Sequence, residues 1–174
     1  MSRLEGTTLS SRNVRYYVTN NEGEITHLIL EDATGDFYDY GLVTQATENT
    51  SGMSVTSSYT YIVNGTTKNY TSMNSAFGVS TGGARFGYQN GTISSIKNLS
   101  QGSVSSITTS RATIGGKSID LAEDVQVYLK DGSNYSLINL NTVLGEENYR
   151  LTAWYDNFGY PAGGLVRVIV ATER

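Results

Sequence analysis

The most constraining feature of this sequence is a β-hairpin pattern that occurs three times. In the middle copy, "GGARFGYQNGTISSIKNL" (residues 82–99), alternating side chains flank an Asn-Gly pair, which tolerates the positive φ angles of a tight turn. Each returning strand begins with a Gly and has aliphatic residues two and five positions after it. This pattern occurs in Gly23–Leu28, Gly91–Ile96 and Gly164–Ile169. Because residues three apart face opposite sides of a regular strand, this spacing predicts a β-bulge at the same point of each copy.

The outgoing strands of the three hairpins also look alike. Each has an Arg between two apolar residues and a further apolar residue two positions later, in Val14–Val18, Ala84–Tyr88 and Tyr149–Ala153. Two other pieces recur in the same order along the chain, since Gly41–Thr47 resembles Gly102–Thr108 and Tyr61–Tyr70 resembles Ala112–Leu121. The order strand, hairpin, short strand, hairpin is therefore used twice.

This order predicts how the 174 residues are organised. We expect one unit at residues 35–101 and a second at 102–174. Residues 1–34 are expected to form an N-terminal hairpin that completes or continues the repeat array, as the closing hairpin of a preceding unit. Such a hairpin has open strand edges unless it pairs with another unit.

The predicted fold class is all-β, with two tandem or fused small antiparallel OB-like β-barrels and at most one short helix. Short runs of Thr, Tyr, Val and Ile with a period of two predict strands at "RYYVT", "SYTYIV", "VQVYL" and "VRVIV". Hairpin turns are expected at Asn64-Gly65, Asn90-Gly91, Gly115-Gly116 and Asp131-Gly132, so the topology should be local and antiparallel. Only Ser136–Glu147 has spacing that favours a helical turn.

Composition limits the classes of function. The chain is 38% hydrophobic with 13 Tyr and a net charge of −4, which favours a folded protein over a disordered one. Its 12 Lys and Arg residues are scattered rather than clustered, so nucleic-acid binding is not expected. No apolar stretch reaches the roughly 20 residues of a membrane helix, which predicts no membrane insertion. The chain has no Cys, which excludes disulfides and thiol chemistry.

One acidic segment is a candidate for calcium binding. Glu31–Asp39 contains Asp32, Asp36 and Asp39 close together, and Ca²⁺ prefers several carboxylate and carbonyl oxygens in a flexible loop. The segment does not match the EF-hand pattern, and a solvated loop that uses Asp as a turn former is the favoured explanation. The sequence therefore assigns no metal site and no cofactor.

Candidate catalytic groups are sparse. Glu146, Glu147 and Asp156 could supply the two carboxyl groups of a glycoside hydrolase, although an exposed loop is the ordinary explanation for adjacent glutamates. A catalytic triad would need His27, the single His, but no Gly-x-Ser-x-Gly elbow is present. We expect His27 to face solvent on a strand, and we expect the chain not to be an enzyme.

Aromatic residues suggest an alternative. Tyr38 and Tyr40, like Tyr59 and Tyr61, are two apart and would share a face of an extended strand, where their rings could stack on sugars. Aromatic cross-strand pairs that stabilise a sheet explain the same pattern. Trp154 is a further candidate for sugar stacking, although it is expected in the core.

Four stretches resemble a known family. "EGEITHLILEDATGDFYDYGLVT", "SYTYIVNGTTKNY", "GARFGYQNGTISSIKNL" and "YRLTAWYDNFGYPAGGLVRVIVATE" are similar to the non-catalytic repeat region of S-layer homology (SLH) domain-containing surface proteins of Gram-positive bacteria. The resemblance implies an extracellular structural or interaction module of an S-layer-associated protein at the cell wall. Its partners would be cell-wall polysaccharide or other surface proteins. A carbohydrate-binding module is the alternative, and a glycoside hydrolase is the less favoured one.

Overall fold

The computed structural model describes residues 14–30, 33, 38–145, 147–157 and 164–174. This part of the chain is all-β, as expected, with one short 3-10 helix at Leu140–Thr142. Its strands are β1 (Val14–Thr19), β2 (Ile25–Leu30), β3 (Asp39–Ser51), β4 (Ser54–Val63), β5 (Thr66–Ser72), β6 (Gly82–Gln89), β7 (Thr92–Asn98), β8 (Ser100–Ile107), β9 (Arg111–Ile114), β10 (Lys117–Asp131), β11 (Asn134–Ile138), β12 (Tyr149–Tyr155) and β13 (Leu165–Glu173).

The strands after β7 form a closed five-stranded barrel, here called the C-terminal unit. Around the ring the order is β8, β9, β10, β13 and β12, and β12 pairs with β8 to close it. β11 adds to the outer edge of β10 as a hairpin. The pair β10 and β13 is parallel, whereas the other pairs are antiparallel. The barrel confirms the predicted fold class, but its parallel pair departs from the expected antiparallel, local topology.

Strands β3 to β7, here called the N-terminal unit, have the same connectivity without closure. The order β5, β4, β3, β6, β7 corresponds to β10, β9, β8, β12, β13 in the barrel. In both units the first strand lies between the second and the fourth, and the fourth and fifth form a hairpin. The recurring sequence pieces thus fall on strands that occupy the same positions.

The third strand explains why only one unit closes. β10 continues to Asp131, and its residues Gln126–Lys130 make most of the parallel pairing with β13, whereas β5 already ends at Ser72. The pairing also places Lys68 of β5 opposite Tyr61, where the barrel has Ile119 opposite Ala112. Ile119 is buried and Lys68 is exposed. A longer strand with an apolar inner face therefore distinguishes the closed unit.

Residues 73–81 cover the apolar face of the N-terminal unit, which is the open one. The Phe77 ring lies 5.7 Å from the rings of both Tyr59 and Tyr70. The backbone N–H of Phe77 donates to the Tyr59 hydroxyl at 2.9 Å, and the N–H of Gly78 donates to Glu48 Oε1 at 2.9 Å. This loop therefore packs against the core of the N-terminal unit, whereas in the C-terminal unit strands alone close around the core.

The predicted β-bulge is present in all three hairpins. The register skips one residue of the returning strand, which is Thr26 in the first hairpin, Ser94 in the second and Arg167 in the third. In the two complete units the aliphatic residues on either side of the bulge are both buried, namely Ile93 with Ile96 and Val166 with Ile169. The bulge therefore turns two residues with a spacing of three toward one core.

The predicted alignment of the outgoing strands is wrong. In each hairpin, one residue of the outgoing strand pairs with the first aliphatic residue of the returning strand and serves as a common reference point. The Arg lies four residues before that point in the first hairpin (Arg15), three in the second (Arg85) and five in the third (Arg150). They therefore do not occupy equivalent positions. Alternating strands offer many matches of a charged residue between apolar ones, whereas the bulge allows one register.

Turn and helix predictions are confirmed with one shift. Asn64 and Asn90 have positive φ angles, as do the glycines that follow them, which is the geometry of a type I′ hairpin turn. The turn expected at Asp131-Gly132 lies one residue later, because Asp131 still pairs with Asn134. The 3-10 helix lies within the segment expected to hold a helical turn.

The two units share a small apolar core where they meet. Its buried members are Leu42, Ile62, Tyr128, Val168 and Val170, with Tyr135 and Trp154 packed against them. Trp154 lies so close to β6 that a Cβ added at Gly83 would be 2.3 Å from its Cγ atom. Glycine at residue 83 therefore allows the indole of one unit to pack directly on a strand of the other.

Candidate functional site

The most elaborate polar arrangement in the described residues lies at the junction of the two units. Arg167 and Asp156 are both buried, and Arg167 Nε lies 2.6 Å from Asp156 Oδ2. Tyr40 of the N-terminal unit covers them, with its ring 4.2 Å from the Arg167 guanidinium carbon and its hydroxyl donating to Asp156 Oδ2 at 3.4 Å. The cluster joins a charged pair of one unit to an aromatic ring of the other.

The local backbone holds this pair in place. Asp156 follows β12, and its N–H donates to the carbonyl of Leu165, whose own N–H donates to Asp156 Oδ1 at 3.0 Å. Gly164 has a φ of +92°, and a Cβ there would lie 2.0 Å from the Asp156 carbonyl oxygen. Arg167 occupies the bulge position, which is exposed in the other two hairpins and is covered here by the N-terminal unit.

The electrostatics of the cluster favour a fixed ion pair. Burial acts to lower the pKa of Arg167, but the hydrogen bond and the charge of Asp156 outweigh it and raise that pKa. Burial also raises the pKa of Tyr40 well above its ordinary value, against the opposing charge of Arg167. The Tyr40 hydroxyl therefore stays protonated and the guanidinium stays charged at any physiological pH, so the cluster suits structure rather than proton transfer.

Gln126 makes a second polar link between the units. Its Nε2 donates to the backbone carbonyl of Tyr40 at 2.6 Å, and its Oε1 accepts from the N–H of Asn64 at 2.8 Å. The Tyr128 hydroxyl donates to the same Oε1, and it accepts a hydrogen bond from the N–H of Gly65 at 3.3 Å. The Asn-Gly turn between β4 and β5 is thus bound to β10 of the barrel.

The carboxylate pair considered for glycoside hydrolysis is not assembled from Glu147 and Asp156. These two residues flank opposite ends of β12, whose seven residues span about 23 Å at about 3.3 Å per residue. Acid and base in a glycosidase lie roughly 5–9.5 Å apart. Asp156 is also buried against Arg167. Glu146 lies outside the described residues.

Most of the candidate calcium segment lies outside the described residues, including Asp32 and Asp36. Asp39 is described and is exposed at the start of β3. Over the described ranges, no group of three or more His, Asp or Glu side chains is arranged to hold a metal ion. The prediction at Glu31–Asp39 therefore stays untested.

The tyrosines named as a sugar-stacking surface are mostly in the interior. Tyr40, Tyr59 and Tyr61 are buried, so their rings cannot stack on a sugar. Tyr38 is partly buried, with the Arg85 guanidinium carbon 4.5 Å from its ring.

The rings instead support the sheet, as the alternative explanation predicted. Tyr59 stacks on Tyr70 of the neighbouring strand β5, with ring centroids 6.4 Å apart. Tyr61 stacks on Phe86 of β6, which lies two strands away in the same sheet, with ring centroids 4.6 Å apart. Trp154 is partly buried and packs into the core between the units. These aromatic residues therefore belong to packing.

His27 lies exposed on β2, as expected, with its Nδ1 3.3 Å from the Thr26 hydroxyl. No Asp or Ser completes a triad with it among the hydrogen bonds of the described residues. Its place on the hairpin therefore gives it no catalytic partner there.

The barrel wall also holds a groove of about 590 Å³ that the sequence does not predict. β8 pairs with β12 only over Ser100–Ser103, and the two strands diverge beyond that point. The groove between them is lined by polar groups that include Ser105, Glu147, Arg150 and Arg174. The local sequence of either strand holds no signal for it, because it arises from the divergence of two strands distant in sequence.

Comparison of the chain with protein-family models, curated proteins and solved structures finds no match. The structure itself therefore defines the class: an all-β protein whose two units have one strand order and of which the second is a closed barrel. Within the described ranges, no helix has the length and apolar character needed to cross a membrane.

Proposed function

We propose that this chain is a non-catalytic structural and interaction module of a bacterial cell-surface protein. The observation that carries the proposal is the buried junction of Tyr40, Asp156 and Arg167, which fixes one repeated unit against the next. A buried ion pair loses its hydration and recovers that free energy only when its partners are held in good geometry. The junction therefore favours one relative orientation of the two units.

A fixed orientation between repeated units suits a protein that builds a layer or a stalk. Units that move freely have no fixed orientation relative to one another, whereas units joined by a shared core and polar links behave as one body. The apolar contacts around Trp154 and the Gln126 hydrogen bonds act in the same direction as the ion pair. The module would thus act as a rigid spacer.

The proposed location is extracellular, at the surface and cell wall of a Gram-positive bacterium, in an S-layer-associated protein. It is supported by the resemblance of the sequence to the repeat region of SLH-domain surface proteins. Cell-wall polysaccharide or other surface proteins are the partners that such a location would supply.

Immunogold labelling tests this proposal. Antibody raised against the folded chain should label intact cells of the source bacterium, and brief trypsin treatment of intact cells should remove the label. A cytoplasmic protein detected in the same cells serves as the control, because its label should need permeabilised cells and resist trypsin. Label that appears only after permeabilisation would contradict the proposed location.

Carbohydrate binding is a second candidate, and the groove beside β12 is the observation that favours it. Tyr149 and Arg150 offer an aromatic ring and a hydrogen-bond donor within one concave surface. Titration calorimetry with purified cell-wall polysaccharide should then give a heat signal that Tyr149→Ala abolishes and Tyr17→Ala, on the N-terminal hairpin, leaves unchanged. Absence of a signal would remove this candidate and leave the spacer function intact.

A further inference from the structure

The N-terminal hairpin of β1 and β2 exposes apolar side chains. Within the described part of the chain these two strands pair only with each other. Most of the large apolar side chains that are exposed in the described residues lie here: Tyr16 at 57%, Tyr17 at 58%, Ile25 at 57%, Leu28 at 41% and Ile29 at 57%. A two-stranded hairpin is marginally stable in water unless a further strand or a packed face supports it.

The shared bulge identifies the residues that are equivalent to this exposed surface. Counted from the bulge, the cross-strand pair Tyr17 and Leu28 corresponds to Phe86 with Ile96 in the second hairpin and Ala153 with Ile169 in the third. The exposed fractions are 58% and 41% in the first hairpin and at most 2% in the other two. Ile25 follows the same rule, since its equivalents are the buried Ile93 and Val166.

The two complete units show what covers this surface. In the N-terminal unit, Phe86 and Ile96 pack in one core with Val43 of the first strand and Tyr61 of the second. In the barrel, Ala153 and Ile169 share a core with residues of the second and third strands, among them Ala112 and Ile119. In both units the first strand also pairs with the outgoing strand of the hairpin. The cover is therefore a three-stranded sheet made of the first, second and third strands.

We propose that the face formed by Tyr17, Ile25 and Leu28 is a docking surface for the three-stranded sheet of another unit of this repeat. The first strand of that sheet would pair with β1, as β3 pairs with β6 and β8 pairs with β12. A second copy of this chain is not the occupant, because both of its three-stranded sheets are already covered by their own hairpins. The inference rests on the proposed spacer function and names its partner.

A fusion that supplies the missing sheet tests the proposal. A copy of residues 38–72, which contain β3, β4 and β5, is placed directly before Met1 of the full chain. Residues 1–13 then connect third strand to hairpin, as residues 73–81 do in the N-terminal unit. Hydrogen exchange of the amides of Val14–Leu30 should slow by about 100-fold or more relative to the unfused chain, because the hairpin then opens only with its unit.

Matched variants separate docking from a general effect of the fusion. In the fused chain, Leu28→Asp should restore fast exchange over Val14–Leu30. Met73→Asp, at an exposed apolar side chain outside the hairpin, should keep the slow exchange. The exchange rates of β13 report whether each variant remains folded.

Two results would overturn the proposal. One is unchanged exchange of the hairpin in the fused chain while β13 stays protected. The other is concentration-dependent dimerisation of the unfused chain by sedimentation velocity, abolished by Leu28→Asp, because a second copy would then be the occupant. Neither result depends on where the protein resides in the cell, so failure of the proposed location is observed separately by the labelling experiment.

Discussion

At the scale of single residues, Glu48 connects the sheet of the open unit to the loop that covers it. Its carboxylate accepts hydrogen bonds from the Tyr59 hydroxyl and from the N–H of Gly78. The Tyr59 hydrogen bond, supported by backbone N–H groups of the loop, lowers the pKa of Glu48 below its ordinary value of 4.5. The charged carboxylate is therefore the form that holds residues 73–81 in place.

This shift predicts an acid-sensitive loop. Because the pKa of Glu48 is lowered on folding, its contribution is fully present above pH 4.5 and is lost as the pH falls through the lower folded pKa. Amides of residues 76–79 should exchange faster, relative to β13, as the pH falls from 6 to 3. The measurement is hydrogen exchange corrected for intrinsic rates, with Glu48→Gln as the control that should lack this dependence. An identical pH profile in both proteins would contradict the role of Glu48.

At the scale of strands, barrel closure depends on the third strand of each unit. β10 has 15 residues and places the buried Ile119 toward the core, whereas β5 has seven residues and places the exposed Lys68 at the matching position. A charged group on the inner face of a closed barrel would lose its hydration without gaining a partner. The length of the third strand and the polarity of its side chains together thus explain why one unit closes into a barrel and the other does not.

Exchanging these two side chains should have unequal effects. Ile119→Lys should lower the free energy of unfolding by about 3 kcal/mol or more, since it buries an unpaired charge. Lys68→Ile, on an exposed surface, should change it by no more than about 0.5 kcal/mol. Urea unfolding followed by tyrosine and tryptophan fluorescence measures both values. Equal costs for the two substitutions would show that closure does not depend on this position.

The strands, turns and bulge could be predicted from the sequence, but one of the strand pairings could not. Strands, Asn-Gly turns and the bulge followed from local chemistry, because turn geometry and aliphatic spacing are properties of a few neighbouring residues. The parallel pair of β10 and β13 did not, since it depends on where a strand about 40 residues later returns to the sheet. The Arg-based alignment failed because a simple alternation of apolar residues fits several registers.

At the scale of the whole molecule, the junction makes one body from two repeated units. Tyr40 and Asp156 lie 116 residues apart in the sequence, and Gln126 contacts Tyr40 across 86 residues. In the sequence, Asp156 suggests a catalytic carboxylate and Tyr40 a sugar-binding ring, because an isolated carboxylate or ring gives no sign of its distant partner. Only the packing of the two units shows that these side chains satisfy each other.

Hydrogen exchange of Asp156→Asn tests this account most directly. Asn keeps the shape of Asp156 but removes the buried charge 2.6 Å from Arg167 Nε. The contact of Arg167 Nη1 with the exposed Asp124, at 3.5 Å, replaces that charge only weakly, so the change should cost about 3 kcal/mol. Because the junction couples the units, exchange should speed up in both β3 and β13. The control is Asp120→Asn, whose partner Arg111 lies in an exposed pair at 2.6 Å, and there the cost should stay below about 1 kcal/mol. Faster exchange confined to the C-terminal unit, with β3 unchanged, would contradict the claim that the two units form one body.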